Sequence, residues 1–304
     1  MKILVTGGTG MLGTSLSRLF LARHHEVCGL SRGKISRPLF QGERLLQADI
    51  TDKTAIDRAV QPARPDVVFH TAAVSDVDFC ETSPQEADRV NGEGTQIVAE
   101  AARACGALFC YLSTDYVFDG ESRAPYREED SCNPINRYGK SKWLGEKYTR
   151  SLCPRHYIVR TSWLFGENRD SFVHHVLEWA LSRKEMRFVG DKWANPTYTP
   201  DLAECLYRLI EAKAPFGTYH ITNREGGCSW FEYGKQILAT RGMNGVTVTS
   251  MSLAELKRSA KRPPMSTLNV DKFLEATGTP LRSWREALRE YLTSVCPSQK
   301  TIGE

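Results

Sequence analysis

The stretch KILVTGGTGMLG, residues 2–13, decides the fold of this chain. Its first five residues, Lys2–Thr6, form an apolar run rich in β-branched side chains, which predicts a buried strand. The glycine-rich turn 7–13 follows at once, and an amphipathic stretch to about Arg23 predicts a helix. A strand, a glycine-rich turn and a helix in this order are the setting in which backbone N–H groups bind the phosphates of a dinucleotide.

The spaced glycines of this turn have separate tasks. Gly7 permits the tight turn, Gly10 lets the backbone approach a pyrophosphate, and Gly13 lets the helix pack on the strand. The N–H groups and the positive dipole end at the start of the helix attract the phosphates. A plain connecting turn is the alternative for the motif taken alone. The cofactor contacts predicted in this turn come from Gly7, Thr9, Gly10, Met11, Leu12 and Gly13.

The end of the second predicted strand, Glu26–Leu30, indicates which dinucleotide binds. In such folds the residue just past this strand contacts the adenosine ribose, and a carboxylate there accepts from the 2′-hydroxyl of NAD. This chain has Ser31 and Arg32 instead, and a guanidinium suits a 2′-phosphate. NADP (NADPH) is therefore favoured, with NAD as the alternative if Arg32 is merely solvated.

Strands and helices continue to alternate along the first half of the chain. Strands are predicted at 66–71, 107–112 and 155–160, and one long helix at 84–103. This order predicts an α/β fold with a doubly wound parallel (Rossmann) sheet, in which ligands bind at the carboxyl ends of the strands. Four further cofactor contacts are expected near these ends, two at the adenine and two at small side chains: Asp49, Ile50, Ala72 and Ala73.

The pattern after residue 166 is less regular. Helices are predicted at 172–182, at 252–259 and at 230–241, where Ser229 is the expected N-cap, and an aromatic-rich loop occupies 193–199. We expect residues 1–166 to form the dinucleotide-binding domain, with later segments returning to it. Residues 167–304 are expected to form mainly a smaller α/β substrate-binding domain.

Tyr138 and Lys142 lie four residues apart in a predicted helix, and this spacing places both side chains on one helix face. A phenol titrates near pH ~10, and a neighbouring ammonium favours the phenolate. The pair therefore predicts a lowered phenol pKa and acid–base chemistry near neutral pH. The hydroxyl of Ser113 or Thr114, at the end of a predicted strand, could bond the oxygen that Tyr138 protonates. Such pairs are usually surface neighbours, so this assignment depends on the rest of the chain.

Composition excludes several classes of protein. The chain has 304 residues, of which 41% are hydrophobic and 25% charged, as in soluble globular proteins. Its net charge of +4, spread without long blocks, argues against nucleic-acid binding and suits an acidic small molecule. Nine cysteines without a C-x-x-C pair predict no disulfide framework and favour a reducing cytoplasm. We expect no signal peptide and no membrane span.

Together these motifs resemble the extended short-chain dehydrogenase/reductases. Within that family the chain is most similar to the dTDP-4-dehydrorhamnose reductases. The resemblance rests on STDYVFDG at 113–120, YGKSKWLGE at 138–146, RTSW at 160–163 and the pair Arg262-Pro263. It covers nearly the whole chain and is firmest over residues 1–166.

The resemblance implies NADPH-dependent reduction of the C4 ketone of dTDP-4-dehydro-L-rhamnose to dTDP-L-rhamnose, a donor for cell-surface polysaccharide. Tyr138 would protonate the developing alkoxide, and Lys142 would keep Tyr138 usable and hold the nicotinamide ribose. Thr114 would bond the carbonyl oxygen, and Asp115 would orient its neighbours. Three more residues are implied for substrate binding, by packing on the sugar ring or by charge on the diphosphate: Tyr116, Trp163 and Arg262.

Each of these three residues could instead have a purely structural role. Tyr116 and Trp163 could be core aromatics, and Arg262 could form an ion pair at a helix flank. Some relatives are described with a metal-linked dimer contact through a Glu just after the glycine loop. This chain has Thr14-Ser15 there, so we predict no metal site. The expected partners are a nucleotide-sugar substrate and a second copy of the chain, in a homodimer that no metal links.

Two other interpretations of the function stay open. One is a non-catalytic NADP-binding regulatory subunit, because residues 126–130 resemble the β subunit of methionine adenosyltransferase; the RTSW motif at 160–163 favours the reductase. The other is a nucleotide-sugar 4-epimerase, or a reductase of a different 4-keto-6-deoxy sugar. Epimerases keep NAD tightly bound, whereas Ser31 and Arg32 favour an exchanging NADP.

Overall fold

The computed structural model describes residues 1–33 and 39–294. The strands in these ranges are β1 (Lys2–Thr6), β2 (Glu26–Ser31), β3 (Glu43–Gln47), β4 (Val67–His70), β5 (Leu108–Thr114), β6 (His156–Thr161), β7 (Leu164–Phe165), β8 (Glu185–Val189), β9 (Trp193–Ala194), β10 (Thr197–Tyr198), β11 (Gly217–His220), β12 (Cys228–Ser229) and β13 (Thr247–Met251). The α-helices are α1 (Met11–Ala22), α2 (Lys53–Ala63), α3 (Val77–Thr82), α4 (Pro84–Ala87), α5 (Gly94–Ala104), α6 (Arg137–Leu152), α7 (Phe172–Ser182), α8 (Thr199–Glu211), α9 (Trp230–Thr240), α10 (Asp271–Thr277) and α11 (Trp284–Ser294).

Within the described ranges, the central sheet has seven strands, which are all parallel and follow the order β3-β2-β1-β4-β5-β6-β11. From β1 the chain proceeds to β2 and β3 on one side of the sheet and then returns to β4 on the other side. Doubly wound sheets bind ligands in the crevice at such a switch point. The predicted fold class is confirmed. Strand β11 lies at the sheet edge, so a segment beyond residue 166 does return to the first half. The division of the chain at residue 166 stays a prediction.

Strand β1 is buried because helices cover both faces of the sheet. On one face Val5 belongs to a core cluster that includes Phe20 of α1. On the other face Leu4 belongs to a cluster that includes Val98 of α5. Burial of β1 thereby fixes the position of the glycine-rich turn at the carboxyl end of that strand.

Gly13 sets how closely α1 approaches the turn after β1. A Cβ atom added at Gly13 would lie only 2.2 Å from the carbonyl oxygen of Gly7. Real Cβ atoms do not approach so closely, so any side chain at residue 13 would push the helix start away. The predicted role of Gly13 in close helix–strand packing is confirmed.

We expect the Gly13→Ala substitution to destabilise the protein by about 1–3 kcal/mol, because the added methyl group overpacks the turn. It should also weaken NADPH binding, since the helix start moves. Thermal denaturation and NADPH fluorescence titration measure both effects. Gly245→Ala is the matched control, since a Cβ there meets no atom of the described residues within 4 Å. Wild-type melting temperature and affinity in Gly13→Ala would contradict this packing.

A third core cluster is formed by residues of α7, α9, α11 and the strand β8, which pairs with β13, and it includes Phe188, Tyr233 and Trp284. The predicted N-cap of α9 is confirmed. The Ser229 hydroxyl accepts from the Glu232 N–H at 3.1 Å, and the Glu232 carboxylate accepts from the Ser229 N–H at 3.0 Å. Among the described residues, no helix is both long and apolar enough to span a membrane.

The predicted helix at 84–103 is not continuous. A π-helical turn, Asp88–Glu93, separates α4 from α5. Asn91 within this turn is buried, and its amide accepts from the Val74 N–H at 2.8 Å and donates to the Ser141 hydroxyl at 2.9 Å. The break in the helix therefore coincides with the long-range hydrogen bonds of the Asn91 amide. Such π-helical turns are frequent near functional sites.

The predicted helix at 252–259 is wrong in its length. Only one 3-10 turn forms there, Leu253–Glu255. The Asp191 carboxylate accepts from the Ser252 hydroxyl at 2.8 Å and from the Leu253 N–H at 2.6 Å. The segment then leaves the helical path, and the Ala260 N–H donates to Asp78 at 3.1 Å. Long-range bonds have overridden local helix propensity here.

Candidate active site

The glycine-rich turn meets the end of β4 at the point where the sheet order reverses. A Cβ atom on Gly7 would lie 2.9 Å from the Ala72 nitrogen, and the Ala72 N–H donates to the Thr6 hydroxyl at 3.2 Å. Ala73 follows as an exposed residue. The structure thus brings the predicted turn against Ala72, and Ala73 lies next to it at the end of β4.

The start of α1 fits a dinucleotide pyrophosphate. Gly10 is the N-cap residue and has no side chain that could accept from the N–H groups of Met11 and Leu12. The first turn of α1 carries no acidic residue. A Cβ on Gly10 would meet only the Gly7 oxygen within 4 Å among the described residues, at 3.2 Å. The backbone here is accessible to an anion, and the helix dipole favours one.

The predicted adenosine end of the crevice lies past β2. Thr9 and Ser31 hydroxyls are 3.1 Å apart, so the glycine-rich turn is tied to the end of β2. Arg32 is exposed beside them. Burial raises the pKa of Asp49, but hydrogen bonds from Thr51 and the charge of Arg32 outweigh that and lower it. Asp49 is therefore ionised near Arg32 at neutral pH.

Ile50, which was predicted at the adenine, is 5% exposed and belongs to the same core cluster as Val98. A Cβ atom on Gly94 of α5 would lie 2.9 Å from its side chain. Ile50 thus packs in the core against α5. Its contact with a cofactor stays a prediction.

Helix α6 places Tyr138 against the end of β5. Asn136 caps the helix by accepting from the Gly139 N–H at 2.8 Å. A Cβ atom on Gly139 would lie 2.1 Å from the backbone carbonyl oxygen of Tyr116, so the start of the helix packs directly on the turn that follows β5. The rings of Tyr116 and Tyr138 then meet edge to face with centroids 5.8 Å apart. The Thr114 hydroxyl lies close enough to the Tyr138 phenol to lower the pKa of that phenol.

The predicted lowering of the phenol pKa is wrong for the protein by itself. Burial raises the pKa of Tyr138 well above its usual range, while the neighbouring Thr114 hydroxyl offsets part of that rise. Burial also lowers the pKa of Lys142 to about 7, against the opposing charge of Glu146. Tyr138 is therefore protonated at neutral pH, and a protonated phenol is the form that a proton donor needs.

Lys142 is 3% exposed, and its ammonium nitrogen lies 4.3 Å from the centroid of the Tyr111 ring. Glu146, one helical turn further on, is fully buried and is held by both Arg160 and Arg150 at 2.7–2.9 Å. The Glu146 charge is therefore compensated without Lys142, which leaves the lysine available for a ligand.

The same cluster decides between the two hydroxyls at the end of β5. Ser113 donates to Glu146 at 2.6 Å and points toward the ion pair. Thr114 donates to Asp115 at 3.0 Å and accepts from the Tyr116 N–H at 3.1 Å, next to the Tyr138 phenol. Of the two candidates that the sequence left open, Thr114 is the hydroxyl beside Tyr138.

The three predicted substrate residues lie in different surroundings. Tyr116 is 7% exposed beside Tyr138, whereas Trp163 is half-buried and stacks on Trp230 at 5.8 Å. Trp163 has φ 42°, a left-handed conformation that costs a bulky residue strain and is concentrated at functional sites. Arg262 forms a two-pronged ion pair with Asp78 at 2.7 Å, so its guanidinium is engaged within the protein. Its contact with a diphosphate stays a prediction.

Sequence reasoning missed three residues around this site. Lys192 is completely buried near Tyr116, and Ser266 donates to Asp115 at 2.5 Å. Asp78 at the start of α3 binds Arg262. Each contact joins segments that are far apart in the chain, and no spacing rule signals such contacts. The only available hint was that Lys192 follows the Gly190-Asp191 pair within an aromatic-rich region.

The fold and this arrangement of Thr114, Tyr138 and Lys142 define the class of the protein. It is an extended short-chain dehydrogenase/reductase. The chain belongs to the family whose model is described as the RmlD substrate binding domain, which matches residues 1–296.

Named relatives agree with that family. The chain is 38% identical to a dTDP-4-dehydrorhamnose reductase of Streptomyces griseus, over 96% of this chain and 93% of the relative. It is 36% identical to the spore coat polysaccharide biosynthesis protein SpsK of Bacillus subtilis, over 96% of both chains. A crystal structure of the dTDP-4-dehydrorhamnose reductase of Bacillus anthracis in complex with NADP has a TM-score of 0.85 and 32% identity, covering 96% of this chain and 98% of that chain.

Proposed function

We propose that this protein uses NADPH to reduce the C4 ketone of dTDP-4-dehydro-L-rhamnose, which yields dTDP-L-rhamnose. The observation that carries the proposal is the position of the Tyr138 phenol, which lies beside the Thr114 hydroxyl and one helical turn from the buried Lys142. The names of the relatives at 36–38% identity support a reductase that serves polysaccharide synthesis. The NADP in the Bacillus anthracis structure supports the choice of cofactor.

The residues divide the chemistry of this reaction. Bound NADPH supplies the hydride that goes to the ketone carbon. Tyr138 donates its phenolic proton to the developing alkoxide, a role for which a protonated phenol is suited. When the ketone binds, the Thr114 hydroxyl turns its single proton from Asp115 to the carbonyl oxygen and orients the phenol, and Lys142 binds the nicotinamide ribose. The Lys142 ammonium also stabilises the phenolate that remains after proton transfer.

The rest of the crevice would hold the two ligands. The N–H groups of Met11 and Leu12 bind the pyrophosphate of the cofactor, while Ser31 and Arg32 bind the adenosine phosphate. Tyr116 and Trp163 offer apolar ring surface to the C–H faces of the sugar. The reaction takes place in the cytoplasm in this proposal, and a homodimer remains the expected assembly.

The proposal is tested by mixing the purified protein with dTDP-4-dehydro-L-rhamnose and NADPH. We expect NADPH to be consumed, and NMR should identify the product as dTDP-L-rhamnose. If no NADPH is consumed with this substrate, the proposed function fails. In that event, tightly bound copurified NAD would point to an epimerase. A methionine adenosyltransferase pulled down with the chain would point to a regulatory subunit.

The Arg32→Ala variant tests the choice between NADPH and NADH. Loss of a charge-assisted bond to the 2′-phosphate costs about 1.5–3 kcal/mol, so the Kd for NADPH should rise about 10- to 150-fold. The Kd for NADH should change little, because NADH has no phosphate at that position. Arg44→Ala, an exposed arginine on the neighbouring strand β3, is the control. Equal losses for both cofactors would refute the assignment of Arg32.

A further inference from the structure

Lys192 is a buried cation that the proposed chemistry does not use. It precedes β9, and none of its surface is exposed. A lysine is almost never fully buried unless its charge is compensated. Burial lowers the pKa of Lys192 to about 8, against the opposing charge of Asp115, so the ammonium persists at neutral pH. Such a costly placement calls for specific partners.

One set of partners leads to the catalytic pair. The Lys192 ammonium donates to the Ser266 hydroxyl at 3.0 Å, and that hydroxyl donates to Asp115 at 2.5 Å. Asp115 in turn accepts from the Thr114 hydroxyl at 3.0 Å. Because each hydroxyl has a single proton, both hydroxyl protons are directed at the carboxylate. Lys192 thus compensates the buried charge that holds Thr114.

The other partners are the aromatic rings assigned to the sugar. The Lys192 nitrogen lies 5.1 Å from the centroid of the Tyr116 ring and 5.7 Å from that of Trp163. Both distances fall within the range of cation–π attraction, which is strongest when the cation is desolvated. Trp163 also has the left-handed backbone conformation, which persists only where the surroundings fix it. A single ammonium therefore lies within cation–π range of both rings.

We propose that Lys192 is a positioning residue for the sugar. The Lys192 ammonium fixes the positions of the Tyr116 and Trp163 rings and, through Ser266, fixes those rings relative to Thr114. This inference rests on the proposed function, since it names what sets the affinity for the sugar at the same site. It assigns Lys192 no contact with the nucleotide and none with NADPH.

The test is the Lys192→Met variant, which keeps the length of the side chain and removes its charge. We expect the KM for dTDP-4-dehydro-L-rhamnose to rise about 10- to 30-fold, as loss of a desolvated cation–π contact predicts. The Kd for dTDP-L-rhamnose should rise equally. The Kd values for dTDP and NADPH should stay at the wild-type level, because neither ligand reaches the two rings. Steady-state kinetics and calorimetry measure these quantities.

Lys272→Met is the matched control. Lys272 also lies over an aromatic ring, at 5.0 Å from the centroid of Tyr219, but it is exposed and bonds the Thr218 carbonyl oxygen. Its KM should equal that of the wild type. Ser266→Ala removes the hydroxyl that links Lys192 to Asp115 but leaves the Lys192 ammonium near both rings, so kcat should fall several-fold while the Kd for dTDP-L-rhamnose stays unchanged.

Two outcomes would overturn the inference. One is a Lys192→Met variant with wild-type affinity for the sugar nucleotide. The other is a variant that loses affinity for dTDP, NADPH and dTDP-L-rhamnose alike, since that pattern indicates general loosening. Either result leaves the proposed function standing, because that depends on turnover by the wild-type protein. An inactive wild type would instead overturn the proposed function itself.

Discussion

The Tyr138→Phe variant is expected to lose at least about 100-fold in kcat, the effect typical of removing a general acid. The substitution removes only the hydroxyl, so the edge-to-face contact with Tyr116 should remain. NADPH affinity should therefore stay within a few-fold of the wild type. Steady-state kinetics and NADPH titration at neutral pH measure both quantities.

Tyr148→Phe is the control, because Tyr148 lies near the other end of α6. It should turn over substrate at the wild-type rate. Near-normal turnover by Tyr138→Phe would exclude this phenol as the proton donor. Loss of NADPH binding together with turnover would show that the ring, and not the hydroxyl, matters.

The Lys142→Met variant is expected to lose activity yet to gain stability in the absence of cofactor. Burial holds the pKa of Lys142 at about 7, far below its ordinary value of 10.5. The charged lysine therefore destabilises the folded state, by on the order of 3–5 kcal/mol, although loss of the contact with the Tyr111 ring offsets part of the gain. Glu146 is not left unpaired, because Arg160 and Arg150 bind it.

The sign of the pH dependence follows from this lowered pKa. Below pH 7 the lysine is charged in both the folded and the unfolded chain, and the wild type bears the whole penalty. Between pH 7 and 10.5 the unfolded chain binds more protons than the folded one, so wild-type stability rises with pH. The variant should thus melt a few degrees above the wild type at pH 6, and the difference should shrink toward pH 9.5.

Thermal denaturation of the cofactor-free proteins measures this difference, and Lys140→Met, an exposed lysine of the same helix, is the control. Turnover by Lys142→Met should fall by about the 100-fold or more expected for an acid–base partner. A variant that is less stable than the wild type at pH 6, or one that retains full turnover, would contradict the account of Lys142.

Local sequence signals predicted the frame of the molecule well. The strand, the glycine-rich turn and the first helix follow from a buried β-branched run and from the closeness that Gly13 allows. Ser229 and Glu232 form a capping box that depends on residues three apart. The four-residue spacing of Tyr138 and Lys142 likewise sets their common helix face. Each of these features is decided within a few residues of chain.

Features that depend on distant segments escaped prediction. The spacing of Tyr138 and Lys142 suggested a lowered phenol pKa, but the burial that raises it comes from the tertiary fold. Arg262 was interpreted as a diphosphate ligand or an ion-pair partner, and only the fold brings Asp78 to it across 184 residues. The contact between Lys192 and Ser266 gave no sequence signal, because the two residues lie 74 positions apart. Burial and long-range pairing are invisible to local patterns.

The central claim is that the Tyr138 phenol donates a proton to a ketone lying over the nicotinamide. A crystal structure of the protein with NADP and dTDP-L-rhamnose tests it most directly. We predict that the Tyr138 oxygen lies within about 2.6–3.2 Å of the O4 atom of the sugar, with Lys142 at the nicotinamide ribose. A Tyr138 hydroxyl directed away from both the sugar and the nicotinamide ring would contradict the account.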